Sequence, residues 1–177
     1  MRKDVTEKVE LGDVEAHITD KEIKLKKGGM EFVRKYEGFQ IRREGSHLIL
    51  EMKKSTKNEK KQIKTLKSHI LNAIKGFDDK YIYKLQVCAV HFPMGITLDK
   101  AKQELVIKNF LGEVKPRIAK VLKDVEVKVD KEIITVEGHD KERTGQTAAN
   151  IERAVKITNR DRRIFQDGIH LVEHPDK

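Results

Sequence analysis

The chain has 177 residues, 37% of them hydrophobic, enough to build the core of one ordinary domain or of two small ones. Charged residues make up 38% and the formal net charge is +9, which favours a polyanionic partner, nucleic acid ahead of an anionic membrane surface. The single cysteine, Cys88, excludes an intramolecular disulfide and suits a reducing compartment; no apolar run is long enough to span a bilayer, and the charged stretch Met1–Glu22 does not read as a secretory signal.

In chain order, the pattern predicts short strands at Val14–His17 and Glu22–Lys26, with Gly29 following. Gly38-Phe39-Gln40-Ile41 leads to Leu48–Glu51 through a turn at Gly45-Ser46. Lys57–Lys61 reads as a loop leading into a helix, whose apolar stripe is Leu66, Ile70, Ala73, Ile74 and Phe77 and whose stop is Gly76. Val87 and Ala89 place Cys88 as a buried thiol in a strand. Glu104–Lys108 is a further strand, followed by Gly112. Val125, Val127 and Val129 alternate with Glu126, Lys128 and Asp130, which predicts a half-buried strand; Asp130-Lys131-Glu132 turns it back into Ile133–Val136. Ala148, Ile151, Ala154 and Val155 form a second helical stripe, and His170 and His174 fall in a terminal tail.

These elements repeat at about 80 residues, a period that signals two similar domains and not a solenoid. Glu22–Lys26 matches Glu104–Lys108, and the Ile41/Leu48 hairpin matches Val125–Val136. Ile70, Ala73 and Lys75 match Ile151, Ala154 and Lys156, and Val14–His17 is set beside Val87–Val90. The expected fold is α+β, with two similar domains, residues 1–81 and 82–177, each an antiparallel sheet with one helix packed on it.

Candidate chemistry points to binding. Lys141 and Arg143 precede the second helix. Gln146, Asn150 and Arg153 share one of its faces by spacing. Lys156, Asn159, Arg160, Arg162 and Arg163 follow its end. Arginine grips phosphate through two parallel hydrogen bonds, and Gln and Asn can meet a ribose 2′-hydroxyl or a base edge. A helix N-terminus attracts phosphate, and Gly145 leaves room for close backbone approach. Glu142 and Glu152 are the acids near enough in sequence to pair with these arginines. A second basic patch comprises Lys57, Lys60, Lys61 and Lys64. Aromatics are few (no Trp, 3 Tyr, 6 Phe) and none is interleaved with the basic residues, so recognition is expected to rest on phosphates, sugars and folded shape. There is no Walker A loop, dinucleotide fingerprint or HExxH, and His170/His174 would be half a zinc site at most. Residues three apart in a strand face opposite ways, so Cys88 and His91 are not expected to act together. The chain reads as no enzyme, without metal or cofactor. On residues alone, a free-standing structured-RNA binding module or chaperone fits as well as a component of a larger assembly.

One resemblance narrows this. Gly145–Ile169, GQTAANIERAVKITNRDRRIFQDGI, resembles the C-terminal signature of the large-subunit ribosomal protein six family in its archaeal and eukaryotic form. His91–Met94, Val106–Glu113 and Lys67–Gly76 are similar to the same family, so the likeness spans nearly the whole chain. The resemblance implies two α+β domains and a structural role in the cytoplasmic ribosome, with large-subunit rRNA bound mainly by the second domain. It further implies a place near the sarcin-ricin region, beside ribosomal proteins of the stalk base and near docked translational GTPases. It puts Gly145, Gln146, Ala149 and Asn150 on the family's rRNA-facing helix start, with Lys141 and Arg143 just before it. At Arg160, Arg162 and Arg163 the chain departs from the bacterial form of the family.

Overall fold

The computed structural model describes residues 3–161 and 163–175, so Arg162 lies outside it. The chain divides into two compact units, Met1–Asp79 and Lys80–Lys177. Each has its own buried apolar cluster.

The first unit begins with β1 (Lys3–Glu10), followed by the meander β2 (Glu15–Thr19), β3 (Glu22–Lys27) and β4 (Met30–Lys35). The hairpin β5 (Gln40–Glu44) and β6 (His47–Ser55) leads into α1 (Lys57–Asp78). The strands form two antiparallel sheets, β2-β3-β4 and β1-β6-β5. Alternation explains both: Ile23 and Leu25 are buried in β3 while Glu22, Lys24 and Lys26 are not, and Leu48 and Leu50 anchor β6. Helix α1 covers β1 and β6 with Ile63, Leu66, Ile70, Ala73 and Phe77.

Two expectations for α1 are corrected. Lys57–Lys61 is its first turn, not a loop, because Thr56 and Glu59 close a capping box on the exposed N–H groups. Gly76 does not stop it; the helix runs two residues further, and Gly76 lies on the buried face.

The second unit opens with β7 (Tyr81–Cys88) and the meander β8 (Gly95–Asp99), β9 (Glu104–Lys108) and β10 (Arg117–Lys120), with a short turn at Phe110–Gly112. The hairpin β11 (Val125–Asp130) and β12 (Ile133–Gly138) precedes α2 (Lys141–Ala154), and β13 (Gly168–Glu173) closes the unit. The sheets are β8-β9-β10 and β11-β12-β7-β13, antiparallel throughout. Helix α2 packs on β7, β12 and β13 and also touches β10. Leu105, Ile107, Ile134, Val136, Ile151 and Phe110 are almost fully buried. Each such apolar side chain contributes about 1.5–3 kcal/mol.

The fold is α+β as expected, but each unit carries two small sheets where one was anticipated. The wiring of the two units is the same. The pairing β1-β6-β5 corresponds to β7-β12-β11, the meander β2-β3-β4 corresponds to β8-β9-β10, and a hairpin feeds one helix in both; only β13 has no counterpart. The proposed match of Val14–His17 with Val87–Val90 is out of register with this wiring. The first begins β2, whose counterpart is β8; the second ends β7, whose counterpart is β1. His170 is no tail residue: it sits in β13, opposite Gln86 of β7. Cys88 ends β7 half-buried.

Candidate nucleic-acid interface

Helix α2 starts at Asp140, whose carboxylate accepts hydrogen bonds from the backbone N–H groups of Glu142 and Arg143 at 2.9 and 3.4 Å. The expected sites Lys141 and Arg143 therefore lie inside the first turn, not before it. The buried Thr144 hydroxyl donates to the Asp140 carbonyl at 2.7 Å, and that of Thr147 to the Arg143 carbonyl at 2.9 Å. The Asp140 carboxylate thus occupies two of the N–H groups that open the helix.

Gly145 is also reassigned. A Cβ built there would lie 3.0 Å from the Tyr83 hydroxyl, so the missing side chain admits Tyr83 of β7 close against the helix. Arg143 is held within the protein: its guanidinium lies 2.6 Å from Asp124 and 3.4 Å from Asp140. These two acids come from the β10–β11 loop and from the cap. The Lys141 ammonium stands 5.7 Å from the Tyr81 ring centroid. Gln146 donates to Asn150 at 2.9 Å, and Asn150 donates to the Lys120 carbonyl at 3.1 Å. The two amides share a face as their spacing predicted, and that face is tied to β10, whose Lys120 is exposed beside it.

The free cations lie at the other end of α2. Arg153 and Lys156 are exposed and form no ion pair among the described residues. Arg117 meets the last carbonyl of the helix, its guanidinium donating to Ala154 at 3.0 Å, and also donates to the Lys156 carbonyl beyond it at 3.3 Å. Arg117 also forks onto Glu113 at 2.8 and 2.6 Å and lies 4.3 Å from the Phe110 ring centroid. Its hydrogen bonds hold the Glu113 carboxyl below the usual carboxylate range.

Beyond the helix, Asn159 takes a left-handed conformation (φ 59°) and turns the chain. Arg163 is exposed, with its Nε 4.0 Å from Asp161. Arg160 places its guanidinium carbon 4.7 Å from the Phe165 ring centroid, and His91 stacks on the same ring at 5.0 Å with a 21° interplanar angle. An aromatic does sit among the basic residues, which the linear order of the chain had hidden. Asp167 fixes the arrangement. Its carboxylate, almost wholly buried, accepts from the backbone N–H groups of Val90 and His91 at 2.8 and 2.9 Å and lies 2.5 Å from His91 Nδ1. Burial pushes this carboxyl up, but the hydrogen bonds from His91 and Val90 outweigh it, and the group is held below the ordinary aspartate range.

The structure thus gathers Arg153, Lys156 and Arg160 around the C-terminal end of α2, while Arg143 is engaged by Asp124 and Asp140 and Gly145 lies against Tyr83. The second patch is on α1: Lys57, Lys61 and Lys64 are exposed and Lys60 is half-buried. Sequence reasoning missed Arg117, Lys120, Phe165 and the His91–Asp167 clamp. The clamp joins residues 76 apart, and no local pattern announces it.

The pattern of the ribosomal protein L6 family matches residues 92–168, from the loop after β7 to the start of β13. Over 176 residues the chain is 41% identical to the large ribosomal subunit protein uL6 of Methanococcus vannielii, covering 98% of this chain and 96% of that one. It is 38% identical to the uL6 protein of Methanothrix thermoacetophila, covering 98% and 99% of the two chains. With that of Staphylothermus marinus it shares 46% identity over 134 residues, 75% of this chain and 72% of the relative. The chain is a member of the ribosomal protein L6 family.

Proposed function

We infer that this protein is a non-catalytic structural constituent of the large ribosomal subunit, acting in the cytoplasm in translation and associating with rRNA and neighbouring ribosomal proteins. Full-length similarity to uL6 proteins carries the ribosomal part of this reading. The rRNA contact is assigned to the second unit, on one observation: Arg153 and Lys156 are exposed cations with no intramolecular ion pair among the described residues, at a helix end where Arg117 donates to the Ala154 and Lys156 carbonyls. Cations held free of internal partners are the ones available to displace counterions from phosphate. The bound segment on this reading is the sarcin-ricin region, next to the stalk base and the docking place of translational GTPases.

The test is binding to a folded large-subunit rRNA fragment containing that region, compared with an unrelated structured RNA of equal length at physiological salt. A strong preference for the first supports the placement; equal, steeply salt-sensitive binding to both leaves charge alone at work and removes it.

A further inference from the structure

A groove of 590 Å³ opens between the end of α2 and the segment leading into β13. Its apolar part is made by Val155 and Ile169, both buried, and by the partly buried Ile157 and Phe165. Arg153 and Lys156 stand on its lining, and Glu152, Gln166 and His170 supply carboxylate, amide and imidazole. Cys88 also lines it. The Phe165 side is rigid, because His91 and Arg160 pack on that ring and Asp167 pins His91.

We propose that this groove receives a single unstacked nucleotide of the bound RNA, its base lying against Ile157 and the part of Phe165 that His91 and Arg160 leave uncovered, and its phosphate held by Arg153 and Lys156. A nucleobase has apolar faces, a hydrogen-bonding edge and an attached anion, and the groove offers a matching element for each. Glu152 accepts from exocyclic amino groups, and Gln166 both donates and accepts, so base identity can be read there. The volume falls within the range of sites that enclose small organic groups. A continuous duplex cannot fill it, since paired bases stay stacked; a bulged or looped-out residue can. The proposal rests on the RNA-binding reading above.

The experiment measures the affinity of the full chain for two short RNA hairpins of equal length, one fully paired and one with a single-nucleotide bulge, the latter made with each of the four bases. The expected result is that at least one bulged hairpin binds about tenfold tighter than the paired one, the size of one base contact. Ile157→Trp, which fills the groove and leaves every cation in place, brings that ratio close to one. Cys88, the only thiol in the chain, gives an independent readout: the bulged hairpin slows its alkylation by a maleimide more than the paired one does at equal saturation. Equal affinity for paired and bulged RNA, with equal protection of Cys88, overturns the nucleotide pocket while leaving RNA binding intact. A preference that survives Ile157→Trp overturns it as well, because bulge shape is then being read elsewhere. Failure to bind either hairpin while the large-subunit rRNA fragment is bound overturns the nucleotide pocket; failure to bind that fragment as well overturns the RNA-binding reading itself.

Discussion

Asp167 ties the two remote segments of the candidate interface together. It is buried and held by the backbone N–H groups of Val90 and His91, 77 and 76 residues away, with His91 Nδ1 beside it. Its folded-state carboxyl is held below the ordinary value, about 3.9 for a free aspartate. The stabilisation is therefore present in full above that ordinary value and is lost as pH falls through the lower folded one. Asp167→Asn is expected to lower stability near neutrality by about 1–3 kcal/mol, the cost of an impaired buried acceptor. Urea midpoints of variant and parent should converge in acid; a gap that stays constant with pH would show that the charge is immaterial. Gly138 illustrates a different constraint. A Cβ there would collide with Thr144 Oγ1, a buried hydroxyl already committed to the Asp140 carbonyl. Gly138→Ala should destabilise by about 1–3 kcal/mol, the usual scale of overpacking, and thermal unfolding measures it directly. Neither residue stood out in the sequence, since each acquires its role from a partner the fold supplies.

At the scale of elements, periodicity located much and misplaced ends. The stripes of α1 and α2 and the hairpins β5–β6 and β11–β12 were legible, because alternation and 3.6-residue spacing are local properties. Helix boundaries depended on side chains reaching back to the backbone. Thr56 and Glu59 drew the lysine-rich segment into α1, and Asp140 drew Lys141 and Arg143 into α2. Asp140→Ala should cost about 0.5–2 kcal/mol and also free one side of Arg143. Amide exchange in the first turn of α2 should accelerate while that of β9 is unchanged; uniform acceleration would mean that the cap supports the whole unit. The second sheet of each unit escaped because a meander of three short strands reads the same whether it joins the main sheet or stands beside it.

For the whole molecule, the net charge of +9 indicates a polyanion but not a surface. The surface follows from which cations the fold leaves unpaired. Replacing Arg153, Lys156 and Arg160 together with Ala should weaken RNA binding and reduce the slope of log affinity against log salt by about 0.7–0.9 for each phosphate no longer neutralised. Arg143→Ala should leave that slope unchanged and act on stability, since Asp124 and Asp140 already hold this guanidinium. The reverse outcome, a slope that follows Arg143 alone, would relocate the interface to the start of α2. In sucrose gradients the chain is expected to travel with large subunits after a moderate salt wash; release as free protein would favour a module acting off the ribosome.

The sequence by itself determined the class of the fold and, through Gly145–Ile169, the family; it also pointed to two similar halves and to a polyanionic partner. Those are properties of composition, of short-range periodicity and of contiguous motif, and none needs knowledge of which distant residues meet. Tertiary structure alone decided which arginines are spent on carboxylates, that Gly145 makes room for Tyr83, and that His91, Phe165, Asp167 and Arg160 form one assembly beside a groove. Those facts depend on long-range pairing, in which β7 and β13 bring two remote segments side by side, and hydrogen bonds and charges then choose partners by distance and not by sequence order.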